Sequence, residues 1–218
     1  MADAIFLPAS VPDGRRAPEF AATADSVAIT AAVSGLVHVL LGRRLLVWGG
    51  HPAITPMIWT VAENFGVDYG SWVRLYQSLY FEDEFPEDNE RFHNVTFTDV
   101  IENDRAKSLL HMRERMFSEH EFRAAVFIGG MGGIIEEFEL FKRAHPTATV
   151  VPVLSTGGAV LQIGERLSDL DADLKDNLDY VDVLHRHLGI STREERFPTP
   201  DAQPAAVEDR YFKRPNKH

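Results

Sequence analysis

Apolar residues in this chain gather in short continuous runs separated by glycine, proline and charge. Ile5-Phe6-Leu7, Leu45-Leu46-Val47-Trp48, Trp72-Val73-Arg74-Leu75-Tyr76, Val95-Thr96-Phe97-Thr98, Ala125-Val126-Phe127-Ile128 and Thr149 to Leu154 have strand length. The runs at 45–48 and 125–128 contain no polar residue, the pattern of parallel strands covered on both faces. Between the runs the period changes to that of a helix. From Asp25 to Leu41, Val27, Ala31, Leu36, Val37 and Leu40 recur at helical spacing, with Asp25 or Ser26 as the cap and Gly42 as the stop. Further helices are predicted from Met57 to Phe65, from Asp104 to about His120, from the glycines after Ile128 to about His145-Pro146, and from Asp176 to Leu188. Strands alternating with helices require right-handed crossovers, so the fold class is α/β with a mainly parallel sheet. The acidic run Glu82, Asp83, Glu84, Glu87, Asp88 reads as a solvated surface without a functional role. The stretch after Thr192, rich in proline and charge, reads as a surface tail, giving one domain over 1–190 and a tail over 191–218.

Composition narrows the function classes. A length of 218 residues fits one sizeable core, and 44% hydrophobic with 25% charged residues is ordinary for a globular domain. A formal charge of −11 argues against a nucleic-acid surface, which needs clustered Lys and Arg, but leaves room for a basic pocket holding one small anion. The absence of cysteine excludes disulfides and thiolate metal sites. No run is long enough to span a bilayer, and Met1-Ala2-Asp3 does not begin a secretory signal, so a cytoplasmic protein without membrane partners is expected.

Candidate chemistry converges at strand ends. In an open parallel sheet the ligand lies beyond the C-terminal ends of the strands, and the distinctive turns fall there: Ser10, Gly49-Gly50-His51, Gly129-Gly130-Met131-Gly132-Gly133, and Ser155-Thr156-Gly157. The turn at 129–133 is neither a dinucleotide fingerprint at the first strand nor a P-loop, since no Lys-Ser or Lys-Thr follows. Four glycines in five positions exceed the needs of a tight turn and suit close approach of a ligand to the amides that open a helix. Glu136 and Glu137 sit in that helix's first turn, where carboxylates also stabilise the macrodipole. A functional Glu136 would bind ribose hydroxyls or act as a base, since it would repel phosphate. In the preceding helix Arg113 falls in the stripe of Ala106, Leu109, Leu110, Met112, Met116 and Phe117. A buried guanidinium needs an anion, either a structural carboxylate or a ligand phosphate. Arg115 points outward and pairs with Glu119 at i,i+4. His51 has two readings: a lone histidine is most often structural, but one at a strand's C-terminal end can donate to a ligand. His185 and His187, two apart on one helix, face different ways, so no metal site is expected there.

These residues resemble the SLOG superfamily, a Rossmann-like group that includes the Lonely Guy phosphoribohydrolases and the DNA-processing Smf proteins. Its signature, P-G-G-x-G-T-x-x-E, is matched by Ile128-Gly129-Gly130-Met131-Gly132-Gly133-Ile134-Ile135-Glu136, with Ile for Pro and Gly for Thr. The M-H-x-R pattern of the phosphoribohydrolases falls on Leu110-His111-Met112-Arg113. Val47-Trp48-Gly49-Gly50 is similar to the family's first glycine turn, with His51-Pro52 in place of a further glycine, and Ser155 to Gly158 resembles its last ligand loop. The resemblance covers about residues 4–165. It implies a Rossmann-like three-layer sandwich, a small nucleotide-like ligand, no cofactor, and a homodimer or higher homo-oligomer. Taken whole, the chain is most similar to bacterial SLOG domains that sense nucleotide-derived ligands in conflict systems. The alternative implied is hydrolysis of the N-glycosidic bond of a nucleoside 5′-monophosphate, with Glu136 and Arg113 as the catalytic residues.

Overall fold

The computed structural model describes residues 3–85 and 87–212. β1 (Ala4–Phe6) and the two-residue β2 (Ala9–Ser10) are followed by the short α1 (Pro18–Ala21) and the long α2 (Ser26–Leu40). β3 (Leu45–Trp48) leads to α3 (Thr55–Ala62), α4 (Tyr69–Trp72) and β4 (Val73–Ser78). Two 3-10 turns, Leu79–Glu84 and Glu87–Arg91, come before β5 (Val95–Thr98), α5 (Arg105–Ser118), β6 (Phe122–Gly129), α6 (Gly132–Ala144) and β7 (Thr149–Val153). The chain continues through α7 (Val160–Glu165), α8 (Asp173–Asp176) and α9 (Tyr180–Leu188).

All pairings between these strands are parallel, and β7, β6, β1, β3, β4 and β5 lie side by side in that order. From β1 the chain steps through β3 and β4 to β5, then crosses back by way of α5 to β6 and outward to β7. Right-handed crossovers in opposite directions put the helices on opposite faces. α2 packs with α3 and α9, and α5 packs with α6. This is a Rossmann-like three-layer sandwich. The sequence did not predict β2: beyond Phe6 the chain leaves β3 but stays on β6, where Ala9 and Ser10 pair with Ile128 and Gly129. The sheet therefore opens beside β1, at the point where strand order reverses.

The helix caps follow from residue chemistry. The Asp25 carboxylate accepts from the amides of Val27 and Ala28, and Asp104 accepts from Lys107. Beneath α5 and α6 lies an aromatic cluster in which Phe6 meets Phe117 at 5.0 Å and Phe141 at 5.6 Å between ring centroids. The inward stripe of α5 is Ser108, Met112, Arg113, Met116 and Phe117, whereas Ala106 and Leu110 face solvent. The helix expected over 176–188 is two pieces, α8 and α9, broken between Asn177 and Asp179.

The C-terminal stretch, expected as a surface tail, makes buried contacts with the rest of the domain. Glu194 is 2% exposed and pairs with Arg44 through Nη1 at 2.5 Å and Nη2 at 3.1 Å. The Trp72 indole donates to the carbonyls of Phe197 and Pro198, and the Arg196 guanidinium donates to the carbonyls of His38 and Leu41. The cause is pairing across the chain: Arg43 and Arg44, just before β3, are buried, and this stretch supplies the enclosed partner Glu194, while Asp3 adds a more exposed carboxylate 3.6 Å from Arg44. Residues 213–218 of the expected tail and the Asp88 side chain lie outside the described residues.

Candidate functional site

The glycines of the 129–133 turn divide into two pairs with different work. Gly129 and Gly130 lie at φ +60 and +87, in the left-handed region. A Cβ on Gly129 would meet Ile29 and the carbonyl of Ser10, and one on Gly130 would collide with Ile134. Their amides are consumed internally: Gly129 donates to Thr156 Oγ1 at 2.9 Å and Gly130 to the Ser10 carbonyl at 2.8 Å. Gly132 and Gly133 lack that constraint. A Cβ on Gly132 would meet nothing within 4 Å, and one on Gly133 would stand 3.5 Å from Arg113 Nη2. These two open the α6 N-terminus. No side chain caps that helix, and among the described residues the amides of Met131, Gly132 and Gly133 have no protein acceptor.

In front of them is a cleft of about 800 Å³ at the C-terminal strand ends. Of the residues expected from the sequence, the cleft brings together Ser10, Gly49, Gly50, His51, Arg113, Met131, Gly132 and Gly133. It does not include Gly129 or Gly130, which are buried behind the turn. Nor does it include Glu136, Ser155, Thr156 or Gly157. The ligand role expected for that last loop meets a different arrangement, in which the loop braces the turn. Thr156 Oγ1 accepts from Gly129 and donates to the Val153 carbonyl, Ser155 bonds to Asn177 and Tyr180, and Gly157, at φ +64, abuts the backbone of Thr23. Thr156 is fully buried.

Arg113 is 6% exposed and each of its three guanidinium nitrogens makes a hydrogen bond. Nη1 donates to Glu136 Oε2 at 2.9 Å, Nε to Glu137 Oε1 at 3.2 Å and Nη2 to the Gly133 carbonyl at 3.2 Å. Of the two alternatives open from the sequence, the structure has the carboxylate pair. The two glutamates are unequal: the Glu136 side chain is 68% exposed and the Glu137 side chain 15%. Burial pushes the Glu137 carboxyl above the usual carboxylate range, and the nearby Arg113 only partly opposes this. Glu137, not Glu136, lines the cleft. The sequence offered a signal for it, the second acidic residue of the same helical turn, but helical phase alone does not say which of two neighbours faces the strand ends.

His51 lines the cleft through the turn after β3, and its Nδ1 accepts from the Ala53 amide at 3.2 Å. Burial lowers its pKa, so the neutral ring carries its proton on Nε2 and is a donor. The acidic segment, expected to be only solvated, supplies Phe81, Glu84 and Phe85 to the cleft. Arg105 stands over the Phe81 ring at 5.7 Å and also lines the cleft, and Arg16 adds a further exposed guanidinium. With Asp13, Glu19, Glu84 and Glu137 also present, acidic and basic groups nearly balance.

Two other features lie elsewhere. An open hollow of about 960 Å³ along Thr192 to Glu195 and Phe212 contains none of the expected residues. Asp171, Asp173 and His187 come within 4.8 Å of one another, but the two His187 nitrogens face different carboxylates and Arg186 already pairs with Asp173. Among the described residues no helix is long and apolar enough to cross a membrane. Residues 19–188 match the model of the SLOG cluster3 family. No curated protein matches the chain.

Proposed function

The chain belongs to the SLOG cluster3 family, and on that premise we propose that its cleft binds a nucleotide or nucleotide derivative and that the domain acts as a ligand sensor. The observation that carries this reading is the bare α6 N-terminus, whose amides at 131–133 have no acceptor among the described residues and open onto the cleft at the strand-order reversal. Phosphate or another anionic group would take those amides, with Arg113 behind them. The exposed Glu136 and the cleft-lining Glu137 would receive ribose hydroxyls. Titration calorimetry with a panel of nucleoside monophosphates and dinucleotides tests the site. Gly132→Asp is the informative variant, because the new side chain enters open space, leaves the fold intact and puts a carboxylate where the anion would lie. Wild type is expected to bind at least one of the panel, and the variant at least tenfold more weakly. Equal affinities would remove the site.

One observation favours hydrolysis as a second reading. A carboxyl raised by burial beside a guanidinium in a cleft suits general acid or base work, and Glu137 has that setting. Release of free base from a monophosphate by wild type, lost in Glu137→Gln with ligand affinity retained, would establish it. The homodimer implied by the resemblance is proposed in the same spirit, since β5 forms a sheet edge with Phe97 exposed there. Light scattering coupled to size exclusion would decide it.

A further inference from the structure

The wall of the cleft formed by β4 holds a polar side chain that the sequence did not single out. Gln77, one residue before the end of β4, is 6% exposed and lines the cleft. Its carboxamide is fixed from behind: the buried Asn89 donates through Nδ2 to Gln77 Oε1 at 3.1 Å. This takes one of the amide oxygen's two lone pairs and leaves Nε2, which has no acceptor among the described residues. The neighbouring turn is shaped around that nitrogen. A Cβ on Gly50, which lies at φ +73, would collide with Gln77 Nε2. On the adjacent strand Trp48 also lines the cleft, is 1% exposed, and has an indole N–H that is buried without a partner. Buried donors are almost always paired in folded proteins, so the enclosed Trp48 N–H is an exception on this wall, and Gln77 Nε2, which still reaches the cleft, points to an acceptor brought by something else.

A glutamine that reads adenine uses both ends of its amide, accepting from the amino group and donating to the ring nitrogen. Here Oε1 already accepts from Asn89 and keeps one lone pair, while both Nε2 hydrogens lack an acceptor among the described residues, so donation is the larger capacity that Gln77 offers the cleft. Guanine, by contrast, presents acceptors side by side at O6 and N7. β4 stands three strands from β6 across the sheet, roughly 14 Å at ordinary strand spacing. That separates Gln77 from the α6 amides by a distance suited to a base at one end and an anionic group at the other. Resting on the nucleotide-binding reading above, we infer that Gln77 is the specificity group of this cleft and that the ligand carries an oxo-bearing base, with guanine preferred to adenine. Phe81 and Phe85, which also line the cleft, supply apolar surface for the ring.

Titration calorimetry with GMP and AMP on wild type, Gln77→Glu and Gly132→Asp tests the inference. Gln77→Glu preserves shape and the bond from Asn89 but replaces the donor by an acceptor, and its melting curve checks that it folds. Wild type is expected to bind GMP at least tenfold more tightly than AMP. Gln77→Glu should lose at least tenfold for GMP and lose nothing for AMP. Gly132→Asp should weaken both ligands without changing their ratio. If both bind and Gln77→Glu leaves the ratio unchanged, the role of Gln77 is overturned while the binding site stands. If neither ligand nor any other nucleotide binds wild type, the nucleotide reading itself fails and the inference with it.

Discussion

Arg113 holds two carboxylates of very different worth. Glu136 is mostly in water, where an ion pair contributes about 0–1 kcal/mol. Glu137 is largely enclosed, and removing its cation leaves a buried charge unpaired, a loss of about 3 kcal/mol or more for such pairs. Urea denaturation should therefore show Glu136→Gln within about 1 kcal/mol of wild type and Arg113→Ala lower by about 3 kcal/mol. Equal losses would contradict the asymmetry. The raised Glu137 carboxyl adds a check, because it can shed its charge by taking a proton, so the Arg113→Ala deficit should shrink as the pH falls toward the carboxylate range. At this scale the sequence showed Arg113 through helical phase, because a cation in an apolar stripe is out of place. It did not show Gln77, whose position depends on Asn89 twelve residues on, inside a run that counts as acidic surface.

The element that composition described least well is the stretch from Ile190 to Phe212. Proline and charge mark it as solvent-facing, yet they are local counts, and its order comes from partners far away in the chain. Arg43, Arg44 and Arg210 all converge on Glu194: Arg43 Nε donates to its carbonyl at 2.7 Å, and Arg44 and Arg210 reach its carboxylate at 2.5 and 3.6 Å. Burial pulls Arg196 down to about 10, with the Arg43 charge adding to the effect. Glu194→Ala would leave buried guanidinium groups without their shared anion, and a loss of about 3–5 kcal/mol is expected by analogy with broken buried pairs. Arg193→Ala, one residue away and exposed, should stay within about 0.5 kcal/mol. Comparing the two by denaturation separates a structural strap from a loose tail, since a loose tail would give two similar and small effects. The same blindness affected the 79–91 segment, where acidic residues outnumber the Phe81, Phe85 and Asn89 that turn inward. The β/α alternation, in contrast, was legible because buried parallel strands are written as unbroken apolar runs. β2 was not, since two residues after a proline carry no period.

For the molecule as a whole, histidines partly withdrawn from water set the response to acid. His38, His51, His120, His145 and His185 all have their pKa lowered below 6.5, and in each the largest cause is burial. Each is neutral in the fold but free to take a proton once unfolded. As pH falls through about 6.5 the unfolded chain thus binds more protons than the folded one, and stability drops. Glu137 acts in the opposite sense: with its carboxyl raised, the fold binds a proton that the unfolded chain has released, so acid favours the fold over that window. One such group works against five histidines. The formal charge of −11 also opposes the trend, because partial neutralisation in acid relieves self-repulsion. Salt distinguishes these contributions. The Debye length falls from about 10 Å at 0.1 M to about 3 Å at 1 M, which screens surface repulsion while leaving the cost of protonating a buried ring in place. The melting temperature is therefore expected to fall between pH 7.5 and pH 5.5, and to fall further at high salt than at low. A melting temperature that rises over this range at both salt concentrations would mean that the histidines are not held neutral, and His51 would then enter the cleft as a cation rather than as a neutral donor.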